Sequence, residues 1–100
     1  MSVPFNFRHA GKLYRLAPDA RLVCAIEDEL GALPALAARF KTGAWRMTEL
    51  LTMMQMFLQS CGQSADFYVL GDEILQSGLA APLAAVRRFL APFDDEGQNA

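Results

Sequence analysis

Hydrophobic and polar positions change their rhythm once along this chain. Val3-Pro4-Phe5-Asn6-Phe7-Arg8 alternates apolar and polar residues, and Lys12-Leu13-Tyr14-Arg15-Leu16 resumes an alternation after a short gap. Between them lies His9-Ala10-Gly11, ending in the residue that best tolerates positive φ. The pattern predicts a β-hairpin over residues 3–16 with a three-residue, bulged turn. In that register Val3, Phe5 and Phe7 share one face, as do Leu13 and Leu16. An isolated hairpin is marginal in water, so this face is expected to lie against helices.

After Leu16 the apolar period lengthens to that of a helix. Pro18-Asp19 opens a first helix in which Leu22, Val23, Ile26 and Leu30 recur at helical spacing, with Gly31 as the stop. A short second helix is predicted over 33–40, with Leu33, Leu36, Ala37 and Phe40 on one side and Trp45 in the loop beyond. The third runs from an N-cap at Thr48 to Gly62. Its polar residues Thr48, Thr52, Gln55 and Gln59 form one narrow stripe, and nearly all other positions are apolar. Such a helix is either central to a bundle or covered by a partner. A fourth helix is expected over 65–76 behind Ser64, carrying Phe67, Leu70, Ile74 and Leu75 and weakened by Gly71. A fifth spans 79–91 with Leu79, Leu83, Val86, Phe89 and Leu90 inward. Residues 94–100 read as a disordered acidic tail. The expected fold is therefore mainly α: one domain over 1–93, an N-terminal hairpin packed on about five short helices.

Composition narrows the function. Hydrophobic residues make up 53% of the chain and charged ones 20%, an apolar surplus that suggests surface left for a partner. The net charge is −2, and the basic residues are dispersed along the chain, which argues against binding to DNA or RNA. Cys24 and Cys61 sit inside apolar helical patterns and read as buried free thiols. With His9 the only histidine, structural zinc is excluded on ligand count. No apolar run reaches the roughly 18 residues of a membrane span. No stretch near Met1 has the layout of a signal peptide. These features together set the expectation of a protein of the reducing cytoplasm.

No constellation for catalysis is visible: there is no phosphate-cradling glycine loop, and His9 has no nucleophile placed to pair with it. The expectation is a non-enzyme with no cofactor, no metal and no small-molecule substrate. The run Glu27-Asp28-Glu29 is either a solvated face or a docking patch for a basic segment; Glu27 and Asp28 are its candidate contact residues. Met47, Met53, Met54 and Met56 fall within ten residues. Clustered methionines fill irregular cores, and they also suit grooves for variable apolar ligands. On a helical wheel Met53 and Met56 lean away from Leu51, Met54 and Leu58. Met53, Met56 and Phe57 are accordingly candidates for a partner-binding groove, and the same apolar surplus would serve as a homo-oligomer seam.

The order of these elements also carries a likeness. A hairpin is followed by Ile26-Glu27-Asp28-Glu29-Leu30-Gly31, Leu36-Ala37-Ala38-Arg39-Phe40, a glycine-containing loop, and a helix opened by Thr48-Glu49. A helix ending in Gly78-Leu79-Ala80 and an alanine-rich helix complete the series. Over about residues 5–91 this resembles the tail assembly chaperones of phages and gene transfer agents. The resemblance implies a non-enzymatic chaperone that binds the tape measure protein, or another tail protein, in the cytoplasm of the bacterial host during tail morphogenesis. Two competing readings are a structural tail adaptor or completion protein retained in the particle, and a helical regulatory module. The latter lacks an outward basic recognition helix.

Overall fold

A computed structural model describes residues 3–94. Two antiparallel strands, β1 (Phe5–His9) and β2 (Lys12–Leu16), precede five helices: α1 (Ala20–Leu30), α2 (Leu33–Thr42), α3 (Met47–Ser60), α4 (Phe67–Ser77) and α5 (Ala80–Leu90), closed by a 3-10 turn at Ala91–Phe93. The architecture is the expected hairpin on a helical bundle. Of the tail expected over 94–100, Asp94 is ordered by Lys41 (3.2 Å), and the remainder lies outside the described residues.

The hairpin turn is tighter than the sequence pattern suggests. His9 pairs with Lys12, so the connection is the two residues Ala10 and Gly11. Both have positive φ, 51° and 75°. Two such residues give the turn a twist that matches that of the strands, whereas a three-residue bulged loop is needed only when one residue is left-handed. Shortening the turn resets the faces. Phe5 pairs with Leu16 and Phe7 with Tyr14, and the buried side is Phe5, Phe7 and Leu16 with Tyr14 at its margin. Leu13 pairs with Arg8 on the outer face and is 53% exposed, and Val3 is exposed as well.

Local hydrogen bonds set the helix starts. The Asp19 carboxylate accepts from the Leu22 N–H (3.0 Å) and caps α1. The Asp66 carboxylate accepts from Tyr68 and Val69 (3.0 Å each), so α4 is capped by Asp66 and begins two residues later than a Ser64 cap would place it. Helix α3 begins before Thr48, because Glu49 reaches back to the Arg46 N–H (2.9 Å) and secures the first turn from Met47.

Helix α3 is the hub, packing against α1, α4, α5 and β2. Leu50, Met53, Met54 and Phe57 are fully buried, and Phe57 meets Phe7 from the hairpin (5.9 Å between centroids) and Phe89 from α5 (5.2 Å). Its polar stripe faces outward, and Gln55 donates to the Ala65 carbonyl (2.8 Å), tying down the loop to α4. Gly71 lets α4 approach: a Cβ there would come within 3.0 Å of Leu51 Cδ1. The glycine that weakens α4 as an isolated helix thus permits its packing.

Glu49 is the one buried charged residue among those described, and it joins α2 to α3 by an ion pair with Arg39. Burial pushes its carboxyl pKa up. The hydrogen bonds from Arg39 and the Arg46 N–H, with the positive charges of both residues, outweigh that effect and hold it below the ordinary glutamate range.

Two measurements check these contacts. Ala10 is an exposed residue in a left-handed conformation that costs a non-glycine residue about 1 kcal/mol or more, whereas asparagine tolerates it. Ala10→Asn is expected to raise stability by about 1 kcal/mol in urea unfolding; no gain would mean that the turn is relaxed in solution. A carboxylate whose folded pKa is lowered contributes stability in full above its unfolded pKa, and loses it as pH falls through the folded value. Glu49→Gln should therefore cost about 1–2 kcal/mol at neutral pH. That difference should shrink steadily below about pH 4.3, the ordinary glutamate value. A pH-independent difference would deny the ion pair its role.

Candidate functional site

The residues singled out for partner binding do not come together. Met53 and Phe57 are fully buried in the α3 core. Their expected place on an open face is corrected, because α3 is enclosed by α1, α4, α5 and β2, which close over both side chains' side of the helix. Met56 is half-buried at the rim of an open cleft of about 540 Å³ between α1 and α3. Leu22 and Ala25 lie with it, but Asp19, Arg21, Gln59 and Ser60 make the cleft substantially polar. Met53 and Met54 have gone into the core, while Met47 and Met56 are partly buried at its margin.

Glu27 and Asp28 are both exposed at the end of α1. Glu27 supports the fold, since its Oε2 accepts from the Leu33 N–H (3.1 Å) and supplies α2 with the cap that Ala32 cannot provide. A carboxylate at a helix N-terminus of this kind is favoured by the positive end of the dipole. The two acids thus diverge, Glu27 towards α2 and Asp28 on the surface.

The thiols also depart from expectation. Cys24 is exposed, since it falls outside the Leu22–Ile26 stripe that α1 buries. Cys61 is half-buried at the end of α3 and donates to the Arg15 carbonyl (3.3 Å). Burial pushes its pKa up, which disfavours the reactive thiolate. Among the described residues no group of three His, Cys, Asp or Glu side chains is placed to hold a metal ion. No single described helix is long and apolar enough to cross a membrane.

Three of the five exposed large hydrophobic side chains among the described residues are on α4. Tyr68 is 78% exposed, Val69 57% and Leu75 63%. Tyr68 and Leu75 lie two turns apart on one side with Asp72 between them, and Val69 flanks the other edge. Leu70 and Ile74 face the core and Gly71 seats the helix on Leu51, so these apolar side chains have no place to turn inward. Helix α4 packs chiefly against α3, which leaves its outer surface open. The hairpin turn touches its flank, where His9 Nε2 lies 3.6 Å from Glu73 Oε1. The sequence does contain the signal for this face: Tyr68, Val69 and Leu75 fall off the Leu70–Ile74 stripe, making α4 apolar on both sides.

The family described as phage tail tube protein, GTA-gp10, matches residues 5–93, and the chain belongs to this family of phage tail proteins. The phage and gene-transfer-agent setting implied by the sequence resemblance is thereby shown. No curated protein matches the chain, and neither does any solved structure.

Proposed function

We propose that this tail-family protein is a non-enzymatic assembly chaperone that binds the tape measure protein in the bacterial host cytoplasm while the tail is built. The observation that carries the proposal is the outer face of α4. Tyr68, Val69 and Leu75 present apolar surface that no other part of the described chain covers. Exposed apolar side chains grouped on one helix of a small protein mark a binding surface or an aggregation hazard. An amphipathic helix docks on such a face through anchors at one-turn and two-turn spacing. A long apolar helical protein awaiting assembly is a partner of that chemistry. Masking it here would keep it soluble.

The family description favours a second reading, a structural component retained in the tail. The same α4 face would then be a permanent interface. The two readings differ in the fate of the protein, since a chaperone leaves the finished particle.

Co-expression with the tape measure protein should render that protein soluble and recover it in a pull-down. Val69→Asp with Leu75→Asp should abolish both effects while circular dichroism and the melting temperature stay close to those of the parent, because both side chains are exposed. Persistence of binding in the double variant would discard the α4 assignment. Mass spectrometry of purified particles decides between the readings: absence supports the chaperone, and stoichiometric presence overturns it in favour of the structural component.

A further inference from the structure

The hairpin has two edges, and the fold treats them differently. Among the described residues the sheet contains β1 and β2 alone, so the far edge of each strand lacks a strand partner there. In a hairpin closed by a two-residue turn, hydrogen-bonded pairs alternate outward from the pair that flanks the turn, here His9 and Lys12. Phe7–Tyr14 and Phe5–Leu16 are then the bonded pairs. Asn6 and Arg8 direct their N–H and C=O groups away from β2, and Arg15 and Leu13 direct theirs away from β1. The thiol of Cys61 on the Arg15 carbonyl agrees with this phase and occupies part of the β2 edge.

The β1 edge opens instead onto a trough of about 260 Å³ between β1 and α5. Asn6 and Arg8 line it from the strand, and Ala81, Ala84, Ala85 and Arg88 line it from the helix. The alanines leave room beside the strand, since any longer side chain on that face of α5 would fill it. Arg8 and Arg88 are the charged residues that line the trough, and no acidic residue lines it. Arg87 turns towards α2 to bond the Phe40 carbonyl (3.2 Å). Arg88 stays at the trough, its guanidinium 5.4 Å from the Phe5 ring centroid.

We propose that the β1 edge takes up an extended, acidic segment of another protein by strand addition. The backbone of such a segment would pair with Asn6 and Arg8. Its inward side chains, being small and apolar, would rest on Ala81 and Ala84. Its outward side chains would lie beside Arg8 on the open face of the sheet, and Arg88 would hold one end, so acidic residues at alternate positions complete the match. Charge complementarity is the selecting term. It also works against a second copy pairing edge to edge, which would set arginine beside arginine. This interface lies on the hairpin and α5, and it is independent of the α4 face.

The test is a titration of the isotope-labelled protein with a short synthetic peptide alternating valine and glutamate, and with its valine–lysine counterpart. The acidic peptide is expected to shift and protect the Asn6 and Arg8 amides, and the lysine peptide to leave them unchanged. Arg8→Glu with Arg88→Glu should weaken binding about tenfold or more. Asn6→Pro removes an edge N–H that β2 does not use, so the hairpin spectrum should persist while binding is lost. Binding retained by Asn6→Pro would reduce the site to a charged patch without strand addition. Equal binding of the two peptides, or shifts confined to other elements, would overturn the proposal. Val69→Asp should bind the acidic peptide like the parent; a loss there would place the peptide on α4 and also overturn it.

Discussion

The structure depends on how completely α3 is enclosed. Phe57 stands at the junction of three layers, touching Phe7 of the hairpin and Phe89 of α5, while Leu50, Met53 and Met54 extend the same contact along the helix. A chain of this size has only a thin core, and burying nearly the whole circumference of one helix concentrates it. The hairpin and α5 can each be stable only because α3 receives their apolar sides. Methionine suits that position, since its flexible thioether fills the irregular space where a sheet and several helices converge. The methionine cluster thus belongs first to folding.

Enclosing α3 leaves the peripheral elements to meet other molecules. Helix α4 lies outermost, joined mainly to α3 through Leu70, Ile74 and the Gly71–Leu51 approach, and keeps Tyr68, Val69 and Leu75 in water. The hairpin does the reverse: it buries its aromatic face and keeps backbone and arginines outward. One molecule therefore presents an apolar helical face and a basic strand edge on separate elements. The proposed chaperone role would use both.

The acidic residues are divided in a similar way. Glu49 and Glu27 secure the joints at either end of α2, the first by pairing with Arg39 and the second by capping Leu33. Each carboxylate satisfies helix N–H groups that the adjoining loop residues leave bare. A carboxylate committed to such a joint is a poor docking residue, because releasing it would free the helix end it secures. Asp28, one residue on from Glu27, makes no such joint and remains on the surface.

Much of this protein was legible in its sequence. Period-two and helical spacing located the hairpin and five helices, since each element must put its apolar residues on one side whatever it packs against. The tail family, too, was recognisable from the order of elements. What spacing cannot supply is which apolar side a neighbour covers. Met53 and Met56 are equally hydrophobic, yet the fold encloses the first in the core and leaves the second at a cleft. Leu75, grouped with Leu70 and Ile74 on hydrophobicity, falls off the stripe they bury and faces solvent. The turn length, and with it the face of Leu13, depended on Ala10 accepting a left-handed conformation that its own preferences disfavour. Arg8 and Arg88, distant in the sequence, come together at one trough only because α5 folds back onto β1. Period and propensity are local properties of a chain; coverage, rotation and charge proximity arise when distant segments meet, and the tertiary structure alone decides them.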